Sequence, residues 1–294
     1  MEMKPADFIL ERQLAWAHRH EVPLVGSKGE RGRRTYAKSL DGNLFEPLSA
    51  DARAEYGAGD GGELGGQDDN PGKMQAVHSS SALCCNVFHY WRRIGGADVI
   101  ARACGLPDAN AAATFEQKLP IDGSQFRFPP NLDAVFRYER GSIDMIGVES
   151  KFGEPFSARA HPGLKPAYLE DRCNPFWREM PELRKLAKKL CPENRTYEHL
   201  DAPQLLKHIL GLKQNAKRAF RLLYLYYALP GRAGVKHADE VDDFLAVARK
   251  DGVGVSALTY QDVIGRLLTS IRVLPASSRG EHAAYVNYVA ERYM

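Results

Sequence analysis

Three charged residues stand where a sheet ordinarily buries apolar ones. Residues 131–156 read NLDAVFRYERGSIDMIGVESKFGEPF, two strands joined by a tight polar turn. Asp133 falls in the first strand, Glu149 near the end of the second, and Lys151 two residues later. Alternate residues of a strand share a face, so Glu149 and Lys151 point the same way. Met145, Ile146, Val148 and Phe152 make the second strand read as buried on both faces. Charges in such a place need partners, because desolvating them is costly. Two explanations are open: the three residues satisfy one another as ion pairs, or they serve a metal and a substrate.

The second explanation is a definite chemistry. Phosphodiester hydrolysis needs charge neutralised on the phosphate and a water made nucleophilic, and Mg²⁺ does both through hard oxygen ligands. Asp133 and Glu149 would supply two carboxylates, and the backbone carbonyl of Ser150 a third oxygen. Lys151 would orient the water, or help deprotonate it, and offset charge in the transition state. A compact ammonium with a shiftable pKa suits that task. An E-x-K triplet alone arises by chance about once in a chain of this size. Its weight comes from closing an apolar strand after an acid in the strand before. Asp144 is a rival carboxylate, but it sits beside the turn Arg140-Gly141-Ser142, where an acid is ordinary. Glu116, one strand earlier, either completes an acid cluster or is a solvated acid on a half-exposed strand. Gln204 opens the helix after the triplet, where Asp201 and Gln204 also fit a capping box.

The elements that must hold these residues follow from periodicity. Three serines, Ser79 to Ser81, precede the helical run ALCCNVFHYWRRI, which Gly95-Gly96 ends. A short helix, ADVIARACGL, and a strand over 113–121 lead to the paired strands. Residues 201–218 form a helix with an apolar stripe through Leu205, Ile209 and Leu212. Residues 220–229 are a buried strand by their aromatic and branched content. PGRAGVKH reads as a loop, followed by a helix over ADEVDDFLAVARKDG, a strand over 253–260 and closing helices. Upstream, residues 5–20 are an amphipathic helix and GSKGERGRR, residues 26–34, is a basic loop with phosphate contact as its alternative reading. Residues 41–70, ending in YGAGDGGELGGQDDNPG, read as a flexible linker. A boundary near residue 72 therefore divides an N-terminal helix and glycine-rich extension, 1–72, from an α/β domain, 73–294. Between 155 and 195, nine Lys/Arg stand against five Asp/Glu, with Tyr168, Phe176 and Trp177 interleaved. That mixture suits either a nucleic-acid surface or a solvated helix face.

The order helix, strand, strand, strand, helix, strand, with an acid in the second strand and E-x-K in the third, resembles the PD-(D/E)XK nuclease superfamily. Pro130-Asn131-Leu132-Asp133 and Glu149-Ser150-Lys151 carry the likeness, the two acids sixteen positions apart. The stretch LDAVFRYERGSIDMIGVESKFGEPF is also similar to a group of bacterial restriction-endonuclease-like proteins. The resemblance spans roughly residues 75–260. It implies a restriction-endonuclease-like core, a central mixed sheet flanked by helices, here with an N-terminal extension. It implies catalysis by Asp133, Glu149 and Lys151, and a metal held by Asp133, Glu149 and the Ser150 carbonyl, with Glu116 and Gln204 in supporting places. Some branches pair such a glutamine with a tyrosine four residues on, where this chain has His208. The cofactor expected is Mg²⁺, with Mn²⁺ able to substitute, and the substrate a nucleic acid, DNA before RNA. Cutting both strands would suit a homodimer. The alternative is a nuclease fold without turnover that binds nucleic acid or a protein partner.

Bulk properties bound these readings without choosing between them. A chain of 294 residues, 44% hydrophobic and 26% charged, has an ordinary globular core. Its net charge of +3 leaves any nucleic-acid contact to local patches. Five cysteines without a C-x-x-C pair argue against a zinc ribbon and suit a reducing cytoplasm. No apolar run has the length of a signal peptide or a membrane span. No P-loop or G-x-S-x-G motif occurs.

Overall fold

The computed structural model describes residues 4–27, 32–59, 61–65, 70–107, 113–122, 126, 129–157, 161–272 and 276–294. Five strands form the central sheet: β3 (Thr114–Lys118), β4 (Asn131–Arg137), β5 (Ile143–Lys151), β6 (Ala219–Tyr226) and β7 (Val255–Thr259), in that spatial order. The pairs β3–β4 and β4–β5 are antiparallel, while β5–β6 and β6–β7 are parallel. The sheet is therefore mixed. The parallel connections are helical, as parallel strands require: α5 (Pro181–Lys189) and α6 (Ala202–Asn215) precede β6, and α7 (Arg232–Lys250) precedes β7. Helices α5, α6 and α7 bury Leu183, Leu206 and Phe244 against one face, with Leu132 and Met145 of the sheet. The other face carries α3 (Ser80–Arg93), α4 (Ala97–Ala103), α8 (Tyr260–Arg272) and α9 (Ala276–Tyr293), through Phe88, Ile100, Ile264 and Tyr285 against Phe136 and Val148. This is the α/β class, with a mixed sheet covered on both faces, that the element order implies. Among the described residues no helix is long and apolar enough to cross a membrane.

Local chemistry sets the helix ends near the sheet's functional edge. Ser79 Oγ accepts from Ala82 N–H at 3.2 Å and starts α3. Gly95, at φ +72°, turns the chain out of it. Asp201 caps α6, accepting from Gln204 N–H at 3.0 Å. In β5, a Cβ on Gly147 would lie 2.4 Å from Leu132 Cδ1 and 3.2 Å from both Leu212 methyls. The Gly147→Ala variant is therefore expected to lose about 1–3 kcal/mol by overpacking between sheet and α6, a shift that urea unfolding would register.

The N-terminal third departs from the sequence reading. Residues 41–70 contain a helix, α2 (Ala50–Ala58), which the glycine-rich tail behind it conceals in the sequence. Ala52 and Tyr56 are buried, and the Tyr56 ring stacks on Phe115 of β3 at 5.1 Å. With α1 (Pro5–Arg19) contributing Ile9, this segment shares one buried cluster with α3. Strands β1 (Leu24–Gly26) and β2 (Arg34–Ala37) pair antiparallel. Most of the basic loop between them, residues 28–31, lies outside the described residues. Helix α7 begins at Arg232, six residues earlier than expected. Gly234 is not a breaker there: a Cβ would come within 1.7 Å of the Leu229 carbonyl oxygen, so it lets the helix seat against the strand exit.

A knot of polar contacts joins the two ends of the fold. Arg292 of α9 is 1% exposed. It donates to the Asn43 carbonyl at 2.8 Å, to Gln13 Oε1 at 3.0 Å and to the Tyr288 hydroxyl at 2.7 Å. Its guanidinium lies 4.1 Å from the centroid of the Trp16 ring.

Candidate active site

Continuing the β4–β5 register from Ala134↔Val148 brings Asp133 opposite Glu149. Continuing β3–β4 from Phe115↔Ala134 brings Glu116 opposite Asp133. Three acids from three neighbouring strands thus stand in one row. Glu149 is 1% exposed. One of its oxygens takes the ammonium of Lys151, on the same face two residues along. His208 of α6, also 1% exposed, holds its Nε2 2.9 Å from the other oxygen, off the line of a directed hydrogen bond. Asp133 Oδ2 accepts the Ser150 N–H at 2.6 Å. The Ser150 hydroxyl turns to the opposite face, 2.5 Å from the Tyr260 hydroxyl.

The electrostatics follow from that crowding. Burial opposes a charge on Glu149, but Lys151 and His208 beside it overcome burial and hold its pKa below the usual range. Burial also opposes the Lys151 charge, and Glu149 with Asp133 outweighs it and raises the ammonium pKa. For Asp133, burial and then the neighbouring Glu149 outweigh Lys151 and the Ser150 N–H, and its pKa is pushed well up. The site holds more carboxylate than its lysine neutralises.

Glu116 joins this cluster from a strained backbone. Its φ is +48°, a left-handed conformation that costs a side-chain-bearing residue about 1–3 kcal/mol. The ladder breaks there, pairing Phe115 and Gln117 on either side and leaving Glu116 out. Its carboxylate accepts from Asn131 Nδ2 and reaches Gly59, where a Cβ would stand 3.0 Å from Oε2. Burial, then nearby Glu63, raises its pKa to about 7. Raised above the ordinary 4.5, the group is neutral in both folded and unfolded chains at low pH. It costs stability progressively as pH rises from about 4.5 to about 7. The Glu116→Gln variant is expected to match the parent at pH 4 and to exceed it by about 1–3 kcal/mol at pH 8. Urea unfolding in EDTA at the two values checks this.

The other expectations are distributed as follows. Gln204 has its backbone N–H in the Asp201 cap, and its side chain lines a cavity with Lys207 and His208 rather than joining the carboxylates. Asp144 accepts the backbone N–H groups of Lys217 and Arg218 and closes the turn before β6. Tyr168 and Trp177 are buried, Trp177 Nε1 donating to the Tyr168 carbonyl. They are core and not a stacking surface, because Leu183 and Leu186 of α5 pack into the same cluster. Several basic side chains of that segment are tied to acids: Arg172 to Glu170, Lys185 to Glu182, Arg195 to Glu193.

Sequence reasoning missed His208 and Glu63. His208 lies four residues after Gln204, so both face the sheet side of α6, and that spacing was the available signal. Glu63, 9% exposed and with its pKa raised by burial, comes from the glycine-rich stretch, where no periodicity marks it.

In kind, the donors suit a hard divalent cation: the carboxyl groups of Asp133 and Glu149 on adjacent strands. As they stand, no three His, Cys, Asp or Glu side chains among the described residues form a ready ligand set. Lys151 and His208 hold both oxygens of Glu149. Metal entry therefore needs Lys151 to release one of them. A family model described as restriction endonuclease associating with ARP matches residues 11–294. No curated protein and no solved structure matches the chain.

Proposed function

We propose that this chain, which belongs to the family of restriction endonucleases associating with ARP, is a metal-dependent nuclease that hydrolyses phosphodiester bonds of DNA. The observation that carries this reading is the opposition of Asp133 and Glu149 across β4 and β5, with Lys151 on the same buried face. Asp133, Glu149 and the Ser150 carbonyl would hold Mg²⁺, which supplies a Lewis acid for the phosphate and a more acidic water. Lys151, released from Glu149, would place its ammonium on the attacking water or the phosphate oxygens. His208 would keep Glu149 charged and oriented while Lys151 is engaged elsewhere. Tyr260 fixes Ser150 from behind, and with it the strand that presents both neighbours.

Incubating the protein with DNA in Mg²⁺, in Mn²⁺ and in EDTA tests the proposal. Metal-dependent cleavage by the parent that Asp133→Asn abolishes is the expected result, and cleavage persisting in EDTA or in that variant would overturn it. One observation favours a second reading, a nuclease fold that binds without turnover: both oxygens of Glu149 are already engaged by protein groups. Calorimetry separates the two, since uptake of Mn²⁺ by the folded protein supports the first and none supports the second. The association with ARP in the family's description is carried over to this chain on the same terms, with co-purification as its test.

A further inference from the structure

A cavity of about 290 Å³ opens beside the carboxylates. Two of its lining residues also belong to the candidate site: His208, against Glu149, and Asn131, against Glu116. The remaining walls are of two kinds. Pro129, Pro130 and Tyr168 are apolar and flat, while Lys165, Gln204 and Lys207 are polar. Among the described residues no acid lines it, whereas three larger cavities each have at least one glutamate in the wall. Lys165 and Lys207 make no ion pair, and the Gln204 side chain no hydrogen bond, with any described residue. His208 is 1% exposed, yet its Nδ1 has no hydrogen-bond partner.

We propose that this cavity seats one unpaired nucleotide of the substrate strand next to the bond to be cut, so that the protein acts on single-stranded or locally opened DNA. This rests on the nuclease reading and adds the substrate's form to it. The volume is at the small end of ligand pockets, about 300 Å³, and admits a nucleotide but not a base pair. Proline surfaces are sequence-tolerant neighbours for a base. The Gln204 amide offers one donor face and one acceptor to a base edge. Lys165 and Lys207, without acids to neutralise them, suit the phosphates on either side. A nucleotide in a duplex would first have to leave its stack.

The test combines calorimetry and cleavage on the full chain. Thymidine and deoxyadenosine 5′-monophosphates are titrated beside inorganic phosphate, into the parent and into Gln204→Ala, Lys207→Ala and Lys165→Glu. Lys165 is exposed, so that variant leaves the core untouched if the others fold poorly. Cleavage of one sequence is compared as single strand and as blunt duplex. The mononucleotides are expected to bind about tenfold or more tighter than phosphate, each variant to weaken them about tenfold, and the single strand to be cut at least about tenfold faster. Mononucleotides binding no better than phosphate, or binding unchanged in all three variants, would overturn the proposal, and metal-dependent cleavage would survive that outcome. Nucleotide binding of the expected strength with no cleavage of either DNA would keep the cavity's role and remove the nuclease reading instead.

Discussion

Replacing Lys151 by alanine is expected to abolish Mg²⁺-dependent cleavage and to cost about 3–5 kcal/mol of stability. The second effect follows from burial. Glu149 is 1% exposed and its charge is maintained against desolvation first by Lys151. Without the ammonium, one oxygen loses its counter-charge and only His208 remains. The loss has a pH signature. A carboxylate with a depressed folded pKa contributes stability above its unfolded value, and that stability disappears as pH falls through the folded one. The parent should therefore lose its advantage over Lys151→Ala on acidification below the ordinary glutamate range. Lys151→Arg separates structure from chemistry. It keeps the charge beside Glu149 but replaces a compact ammonium by a planar fork that does not give up a proton. Its melting curve should stay near the parent's while cleavage falls about 10²–10⁴-fold. Equal cleavage by lysine and arginine forms would remove Lys151 from the chemistry and leave it an ion-pair partner.

The largest stability effect outside the site is expected at Arg292. Its buried guanidinium has no acidic partner among the described residues, and is held by carbonyl, amide and hydroxyl oxygens and by the Trp16 ring. The Arg292→Met variant fills similar volume but leaves the Asn43 side-chain oxygen and Gln13 Oε1 without their donor, and the Asn43 carbonyl with Asn86 Nδ2 alone. Each buried acceptor so stranded costs about 1–3 kcal/mol, and a total loss of about 3–5 kcal/mol is expected in urea unfolding. A loss under about 1 kcal/mol would mean that water replaces the guanidinium. Cleavage at a temperature where the variant is folded should be unchanged, since α9 does not touch the carboxylates.

The sheet was legible because its strands carry the signals that strands need. Residues 143–152 are apolar on both faces, as a central strand must be, and 219–226 are rich in Leu and Tyr. The pair Asp133 and Glu149 was legible because acids are costly in such surroundings. What stayed hidden depends on contacts between distant residues. Nothing near Glu63 or Tyr56 announces that the glycine-rich segment packs against β3. His208 was weighed only against a tyrosine pattern, whereas its partner is an acid fifty-nine positions earlier. The aromatic residues between 155 and 195 suggested a surface because their charged neighbours are exposed, but the rings turn inward under α5 and α6. Composition cannot separate the two faces of a segment built from short turns.

The Arg292 knot also bears on the order in which the molecule assembles. Gln13 and Arg292 are 279 positions apart, Asn43 and Arg292 249, and Asn86 and Tyr293 207. Contacts of such separation give the fold a high contact order, and closing them is slow relative to local helix formation. During synthesis, the apolar faces of α1 and α3 wait for α9 and stay without their final cover until α9 has emerged. The elements that form the carboxylate row have all been made by then, since β3 to β6 and α6 precede residue 227. The nascent chain thus holds every element of its carboxylate row before it can seal its core.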